Sequence, residues 1–211
     1  MSFVDRILCE ADNALRTVAA RPRARKPRPD RSNEHGDATP LSEQEQALSA
    51  ALMRVNHAGE IAAQALYRGQ AFVTRDDHLR QQLLDSAAEE NDHLAWCHSR
   101  TEELGERTSL LAPVWYAGSF AIGAAAGLAG DRYSLGFLDE TEQQVAEHLN
   151  RHLDRLPTDD SVSREIVSQM RDDEIRHGRK ARELGGTALP APVRAGMRAL
   201  SKVMTGVSFR L

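Results

Sequence analysis

Apolar residues recur along most of this chain at the three- and four-residue steps of a helix, and no stretch alternates with the two-residue step of a strand. From Met1 to Ala20, the positions Phe3/Val4, Ile7/Leu8, Ala11, Ala14/Leu15 and Val18 make one apolar face. That face fits a helix docked on a core, or equally one laid on a membrane or a partner. Residues 21–40 break the pattern. Pro22, Pro27, Pro29 and Pro40 forbid a continuous helix, and Arg21, Arg23, Arg25, Lys26, Arg28 and Arg31 make the segment basic. It reads as a solvated linker, with attraction to anionic lipid as a weaker alternative.

The pattern then becomes regular. Ser42-Glu-Gln-Glu45 is a capping box that predicts a helix to about Thr74. Asp76 or Asp77 can cap the next, to about Glu103, where Gly105 stops it. A third charged helix is expected from about Arg132 to Arg155, ended by Pro157. Asp159 or Asp160 caps a fourth, ending at Gly185-Gly186. Four long helices with one apolar stripe each predict an all-α four-helix bundle over residues 41–188, followed by an amphipathic segment at 189–211.

Composition narrows the class. The chain has 211 residues, of which 41% are hydrophobic and 27% charged, enough to bury one core. Aromatic residues at 5%, a net charge of −4 and a pI near 6.1 argue against nucleic acid as a partner. Cys9 and Cys97 alone make no disulfide framework, which points to a reducing compartment. The charged residues of the first 20 leave no apolar core for a signal peptide.

The candidate chemistry lies on the helices. Glu90-Asn-Asp-His93 and Glu174-Ile-Arg-His177 each put a carboxylate and an imidazole on one helix face. Such pairs are common by chance; their placement is not. Glu90 shares a stripe with Leu83, Ala87, Leu94 and Cys97, and Glu174 with Val167, Met170 and Ala181. Each pair also follows a helix with one more inward glutamate. Glu60, with Met53, Ala63 and Tyr67, precedes Glu90 by 30 residues; Glu142, with Leu135, Leu138, Val145 and Leu149, precedes Glu174 by 32. Core-facing carboxylates are costly unless they are paired or hold a metal. Two copies of a Glu-helix followed by an ExxH-helix make the ligand pattern of ferritin-like di-metal carboxylate bundles. Four glutamates and two histidines suit iron or manganese better than structural zinc, and their charge balances two divalent ions.

Around this set, Asp173 and Glu89 each precede a ligand glutamate, while Asp92 and Arg176 occupy equivalent positions in the two motifs. Metal-bound histidine usually donates its outer N–H to a carboxylate. Asp173 is therefore expected to orient His93, and Glu89 to orient His177. Of the remaining histidines, His35, His57, His78, His98, His148 and His152, His148 stands out; lying off the exact face of Glu142, it fits a solvent-facing or hydrogen-bonded role, with a proton-handling or gating role near the site as the sharper alternative.

From Thr108 to Gly130 no residue is charged. The segment is long enough to span a bilayer but rich in glycine and alanine, and the two half-sites lie on either side of it. One crossing would separate them, so the segment is expected to stay on one side as core or as an in-plane membrane contact, with Trp115 and Tyr116 at the interface. Near the C-terminus, Met197, Leu200, Val203, Met204 and Val207 are flanked by Arg194, Arg198 and Lys202 and read the same way.

The run Arg54-Val-Asn-His-Ala-Gly-Glu60, together with Glu89-Glu90-Asn-Asp-His93, the central Gly/Ala-rich segment and Asp173-Glu174-Ile-Arg-His177, resembles the demethoxyubiquinone hydroxylases of ubiquinone biosynthesis. The likeness covers about Leu41 to Leu211. It implies a ferritin-like di-iron monooxygenase that hydroxylates the ring of a demethoxy-ubiquinol with O2. It carries over Glu60, Glu90, His93, Glu142, Glu174 and His177 as ligands of two iron ions, with Glu90 and Glu174 bridging. It implies a peripheral place on the cytoplasmic face of the inner membrane, and other ubiquinone-biosynthesis proteins as partners. His148 matches a family histidine near the site, but Leu149 stands where mitochondrial members carry tyrosine. A ferritin-like iron-storage shell, another di-metal enzyme such as a manganese catalase or a tRNA-modifying hydroxylase, and a metal-free membrane-bound bundle are the rival readings.

Overall fold

In the computed structural model, residues 3–32 and 40–211 are described, without the side chains of residues 3, 31 and 32. His35, and residues 33–39 of the linker, lie outside that description. The described residues form seven α-helices and no strand: α1 (Phe3–Ala19), α2 (Glu43–Val73), α3 (Asp77–Glu103), α4 (Ala112–Leu128), α5 (Asp131–Arg155), α6 (Ser161–Glu183) and α7 (Ala191–Ser208), with a 3-10 turn at Pro29–Ser32. Helices α2, α3, α5 and α6 are the bundle that the sequence pattern predicts.

The ends of these helices follow local chemistry. The capping box at α2 is formed: Ser42 Oγ accepts from the Glu45 amide, and the Ser42 amide donates to the Glu45 carboxylate at 2.9 Å. Asp76 caps α3 by accepting from the amides of His78 and Leu79, and Asp160 caps α6 by accepting from Ser163 at 3.0 Å. Gly105 (φ 76°) and Gly185 (φ 97°) end α3 and α6 in the left-handed region that glycine enters without strain.

Two apolar layers fill the bundle interior, and a third cluster of Ile61, Ala65, Leu94, Ala112 and Tyr116 joins α2 and α3 to α4. One layer contains Leu52, Met53, Trp96, Cys97, Leu149, Ile166 and Met170; the other contains Tyr67, Leu79, Leu83, Leu135, Leu138 and Ala181. On every bundle helix the candidate ligands fall between these layers in sequence. They therefore occupy the middle of the bundle, sealed at both ends.

Helix α4 lies along α2, and glycine allows the approach. A Cβ on Gly123 would stand 2.2 Å from the Leu66 carbonyl oxygen, and one on Gly69 2.2 Å from that of Phe120. One face of α4, with Ala112, Tyr116, Gly123 and Gly127, is buried, while Val114, Ile122 and Leu128 face outward. The central segment thus serves as packing on one side and as apolar surface on the other. Among the described residues no helix is long and apolar enough to cross a membrane.

Helix α1 leaves room for both readings of its apolar face. It docks on α2 and α4, but by its more polar side: Arg68 pairs with Glu10 at 2.7 Å, Thr17 bonds Gln64, Asn13 donates to the Tyr116 hydroxyl at 3.2 Å, and Ala14 and Val18 fill the gap. Val4, Ile7, Leu8 and Leu15 point outward. The facing surface of α2, with Gln64 and Arg68, selects polar partners over the apolar stripe.

The linker is also not a free tether where it is described. Its backbone is strapped to α3: the Arg25 amide donates to Asp92 at 2.6 Å, and Asn91 donates to the Arg23 carbonyl at 2.8 Å. Arg21 pairs with Glu102, Lys26 with Glu89, and Arg28 with Asp30 and Glu103. Those cations are committed to the protein's own carboxylates and are not a free basic patch. Cys9 is exposed and Cys97 buried, both as free thiols.

Candidate metal centre

Six side chains meet between the apolar layers. Glu60, Glu90, His93 and Glu174 form one group whose ligand atoms lie within 4.8 Å of one another; Glu90, Glu142, Glu174 and His177 form a second. Glu90 and Glu174 belong to both. All six are at most 5% exposed. The i, i+3 spacing on α3 and α6 aims each His–Glu pair across the bundle at the other.

Both imidazoles present Nδ1 inward. His93 Nδ1 lies 3.5 Å from Glu60, 3.3 Å from Glu90 and 3.3 Å from Glu174; His177 Nδ1 lies 3.1 Å from Glu90 and 3.4 Å from Glu174. These approaches do not make hydrogen bonds. Both Nδ1 atoms, both oxygens of Glu90, and one oxygen each of Glu60, Glu142 and Glu174 are buried without a partner. Orphaned atoms of this kind are rare, and here they converge on one spot.

Protonation describes the same need. Burial pushes the carboxyls of Glu60 and Glu142 well above the usual range, with the neighbouring glutamates adding to it. Burial opposes charge on the histidines, but their carboxylate neighbours outweigh it, raising His93 well above its usual value and His177 to about 12. Despite burial, those imidazoliums hold Glu90 and Glu174 below the usual range. The carboxylates and imidazoles of this layer thus lean on one another for charge balance, which divalent cations would supply directly. The donor set fits such ions: four carboxylates and two imidazoles, with no Lys or Arg among the grouped residues.

The outer side of each imidazole meets a carboxylate. His93 Nε2 lies 3.1 Å from Asp173 and His177 Nε2 3.5 Å from Glu89. Arg176 ties these two carboxylates together, bonding Asp173 and reaching Glu89 at 2.8 Å. Asp92 does not join them; it is buried and accepts the Arg25 amide, so it anchors the linker.

His148 also lies elsewhere. Six residues past Glu142 is about 240° around a helix. The side chain accordingly lines a cavity between α5 and α7 beside His152, with ring centroids 4.0 Å apart, and belongs to neither ligand group. Leu149, next to it, is buried in the core.

Two contacts escape sequence reasoning. Tyr67 donates to Glu142 at 2.6 Å and meets the His177 ring edge-on at 6.4 Å. Its place on the Glu60 face, two turns on, was the available signal. Lys26 reaches Glu89 at 3.1 Å from the linker, where no periodicity announces it.

Residues 47–208 match the model of the family described as ubiquinone biosynthesis protein COQ7. Over 99% of this chain and all of the relative, the chain is 55% identical to the 3-demethoxyubiquinol 3-hydroxylase of Ralstonia pickettii, and likewise 54% identical to that of Cupriavidus taiwanensis. It is 51% identical, over the full length of both chains, to that of Polynucleobacter necessarius.

Proposed function

We propose, on the ground that this chain belongs to the family of the ubiquinone biosynthesis protein COQ7, that its buried layer holds two iron ions and uses O2 to place a hydroxyl on the quinol ring. The chain is an enzyme, a demethoxyubiquinol hydroxylase of ubiquinone biosynthesis. The observation that carries the di-iron reading is the sharing of Glu90 and Glu174 between two complete ligand groups.

Glu60, Glu90, His93 and Glu174 would hold one ion, and Glu90, Glu142, Glu174 and His177 the other. When bound, the pair of ions supplies the redox chemistry that activates O2. The chain's own residues set the conditions. Asp173 and Glu89 accept from the Nε2–H of His93 and His177, so Nδ1 is the nitrogen each ring would offer to a metal on losing its inner proton. Tyr67, kept a neutral phenol by burial and by Glu142, holds Glu142 through its hydroxyl proton. The two apolar layers keep bulk water out.

The outward apolar residues of α1, α4 and α7 support a peripheral place on a membrane, where a prenylated quinol resides. In a bacterium that place is the cytoplasmic face of the inner membrane. Val4, Leu8 and Leu15 on α1, Val114 and Leu128 on α4, and Leu200 and Val203 on α7 are each more than half exposed.

The test joins metal analysis to isotope labelling. The purified chain should carry about two irons, and 18O2 should deliver one labelled atom to the ring. A cell without its own hydroxylase should regain ubiquinone from this chain and not from its Glu142→Ala variant. Ring oxygen derived from water, or full rescue by Glu142→Ala, would defeat the reading.

A further inference from the structure

A cavity of about 560 Å³ lies between α5 and α7, outside the ligand layer. Two facing stripes build its walls. Helix α5 contributes Glu147, His148, Arg151, His152 and Arg155, and α7 contributes Arg198, Ser201, Lys202 and Thr205 at the spacing of one helix face. Arg210 adds a fifth cation near the C-terminus, and among the described residues of the lining Glu147 is the single carboxylate.

The positive charge is largely uncommitted. Arg198 pairs with Glu140 at 3.3 Å. Among the described residues, Arg151, Arg155, Lys202 and Arg210 have no carboxylate within ion-pair distance; Arg155 sits over the Phe209 ring, and Arg210 donates to the Gly206 carbonyl. Deeper in, His152 is 3% exposed and its Nδ1 has no partner; the Nε2 of His148 is likewise buried and unpartnered. Burial, with neighbouring charge, lowers the pKa of His148 to about 4 and that of His152 to about 2, so both rings are neutral near pH 7 and can each offer an N–H. Leaving such nitrogens unpaired is costly, and a ligand with several acceptor oxygens would satisfy them.

We propose that the cavity between α5 and α7 binds a phosphoryl group, with His148 and His152 donating from within and Arg151 and Lys202 holding its charge at the rim. Several anionic oxygens on one compact group match donors spread over two helices, which a single carboxylate would not. The group comes either from a phospholipid headgroup or from a soluble phosphate compound. Leu200 and Val203, exposed on the same helix, put apolar surface close to the site. The proposal is independent of the metal reading.

The test uses the full chain with its metal and follows the side-chain resonances of His148 and His152 by NMR. One arm titrates inorganic phosphate; the other adds phosphatidylglycerol bicelles, with phosphatidylcholine bicelles as reference. Saturable shifts of both imidazoles in either arm are expected, and the arm that gives them names the source. Arg151→Glu with Lys202→Glu, both at exposed positions, should weaken binding roughly tenfold or more without changing the melting temperature. Imidazole resonances unmoved in both arms, or shifts of equal affinity in the double variant, would overturn the proposal. Equal shifts with phosphatidylcholine alone would do so too, because a neutral headgroup lacks the net charge the rim requires.

Discussion

Asp173 on α6 accepts from His93 on α3 at 3.1 Å, and the same relation runs in reverse from His177 on α6 to Glu89 on α3. In each motif the acid that precedes the shared glutamate braces the histidine of the opposite helix. Arg176 and Lys26 then neutralise the two bracing carboxylates. The centre is therefore a crossed frame: neither ExxH helix positions its histidine alone.

The two braces are unequal, and that gives a graded prediction. The Asp173 side chain is 5% exposed and that of Glu89 36%. A buried charged partner is worth more than a half-solvated one. Asp173→Asn should leave helicity unchanged and loosen metal roughly 10–100-fold in a chelator competition. Glu89→Gln should loosen it less. A larger loss from Glu89→Gln, or none from Asp173→Asn, would mean that the brace does not govern metal affinity.

The α2–α4 contact predicts opposite outcomes for two glycines of one helix. Gly123→Ala drives a methyl group against the Leu66 carbonyl, and overpacking of this kind costs about 1–3 kcal/mol. Gly118 has nothing within 4 Å of its Cβ position, so Gly118→Ala should be neutral, or stabilising by about 0.5–1 kcal/mol through helix propensity. Thermal melting separates them; equal shifts would deny that α4 is seated through its glycines.

The buried Glu/His layer was legible because each helix carries its own period. Glu60, Glu90, Glu142 and Glu174 each stand in an apolar stripe, and spacing alone brings them to one level of the bundle. The dressing of the site was less legible. The apolar face of α1 shows in the sequence, but not that the surface of α2 opposite it is polar, which turns that face outward. Lys26 lies in a segment without periodicity, and its contact with Glu89 depends on the linker's path over α3. His148 follows Glu142 closely in sequence, yet helix rotation sends it to another cavity.

Acid sensitivity follows from a buried histidine outside the metal layer. Burial, then the neighbouring His98, lowers the His57 pKa to about 3. In the unfolded chain the group titrates near 6.5. Between these values the unfolded state takes up a proton that the native state refuses, so this contribution to stability is complete above pH 6.5 and is lost as pH falls toward 3. His93 and His177, raised in the metal-free chain, act with the opposite sign, so the readout is a difference. The gap in melting temperature between wild type and His57→Gln should change in favour of the variant as pH is lowered from 7 to 5. A gap constant over that range would show that His57 is not protonated on unfolding.

If the buried layer holds two ions, the sharing of two glutamates makes the residues unequal in their response to mutation. Glu60 belongs to one ligand group and Glu90 and Glu174 to both. Removing Glu60 takes one donor from one ion and leaves the other ion's donors intact. Removing Glu90 or Glu174 takes a donor from each and also exposes the remaining carboxylates to one another across less positive charge. Glu60→Ala should therefore retain about one ion per chain, while Glu90→Ala and Glu174→Ala should each lose both, as read by metal analysis after gel filtration. Circular dichroism guards against the trivial cause, since a helical variant without metal has lost ligands rather than its fold. If Glu90→Ala kept one ion as firmly as Glu60→Ala does, the centre would be two independent sites, and the bridging role of Glu90 would be wrong.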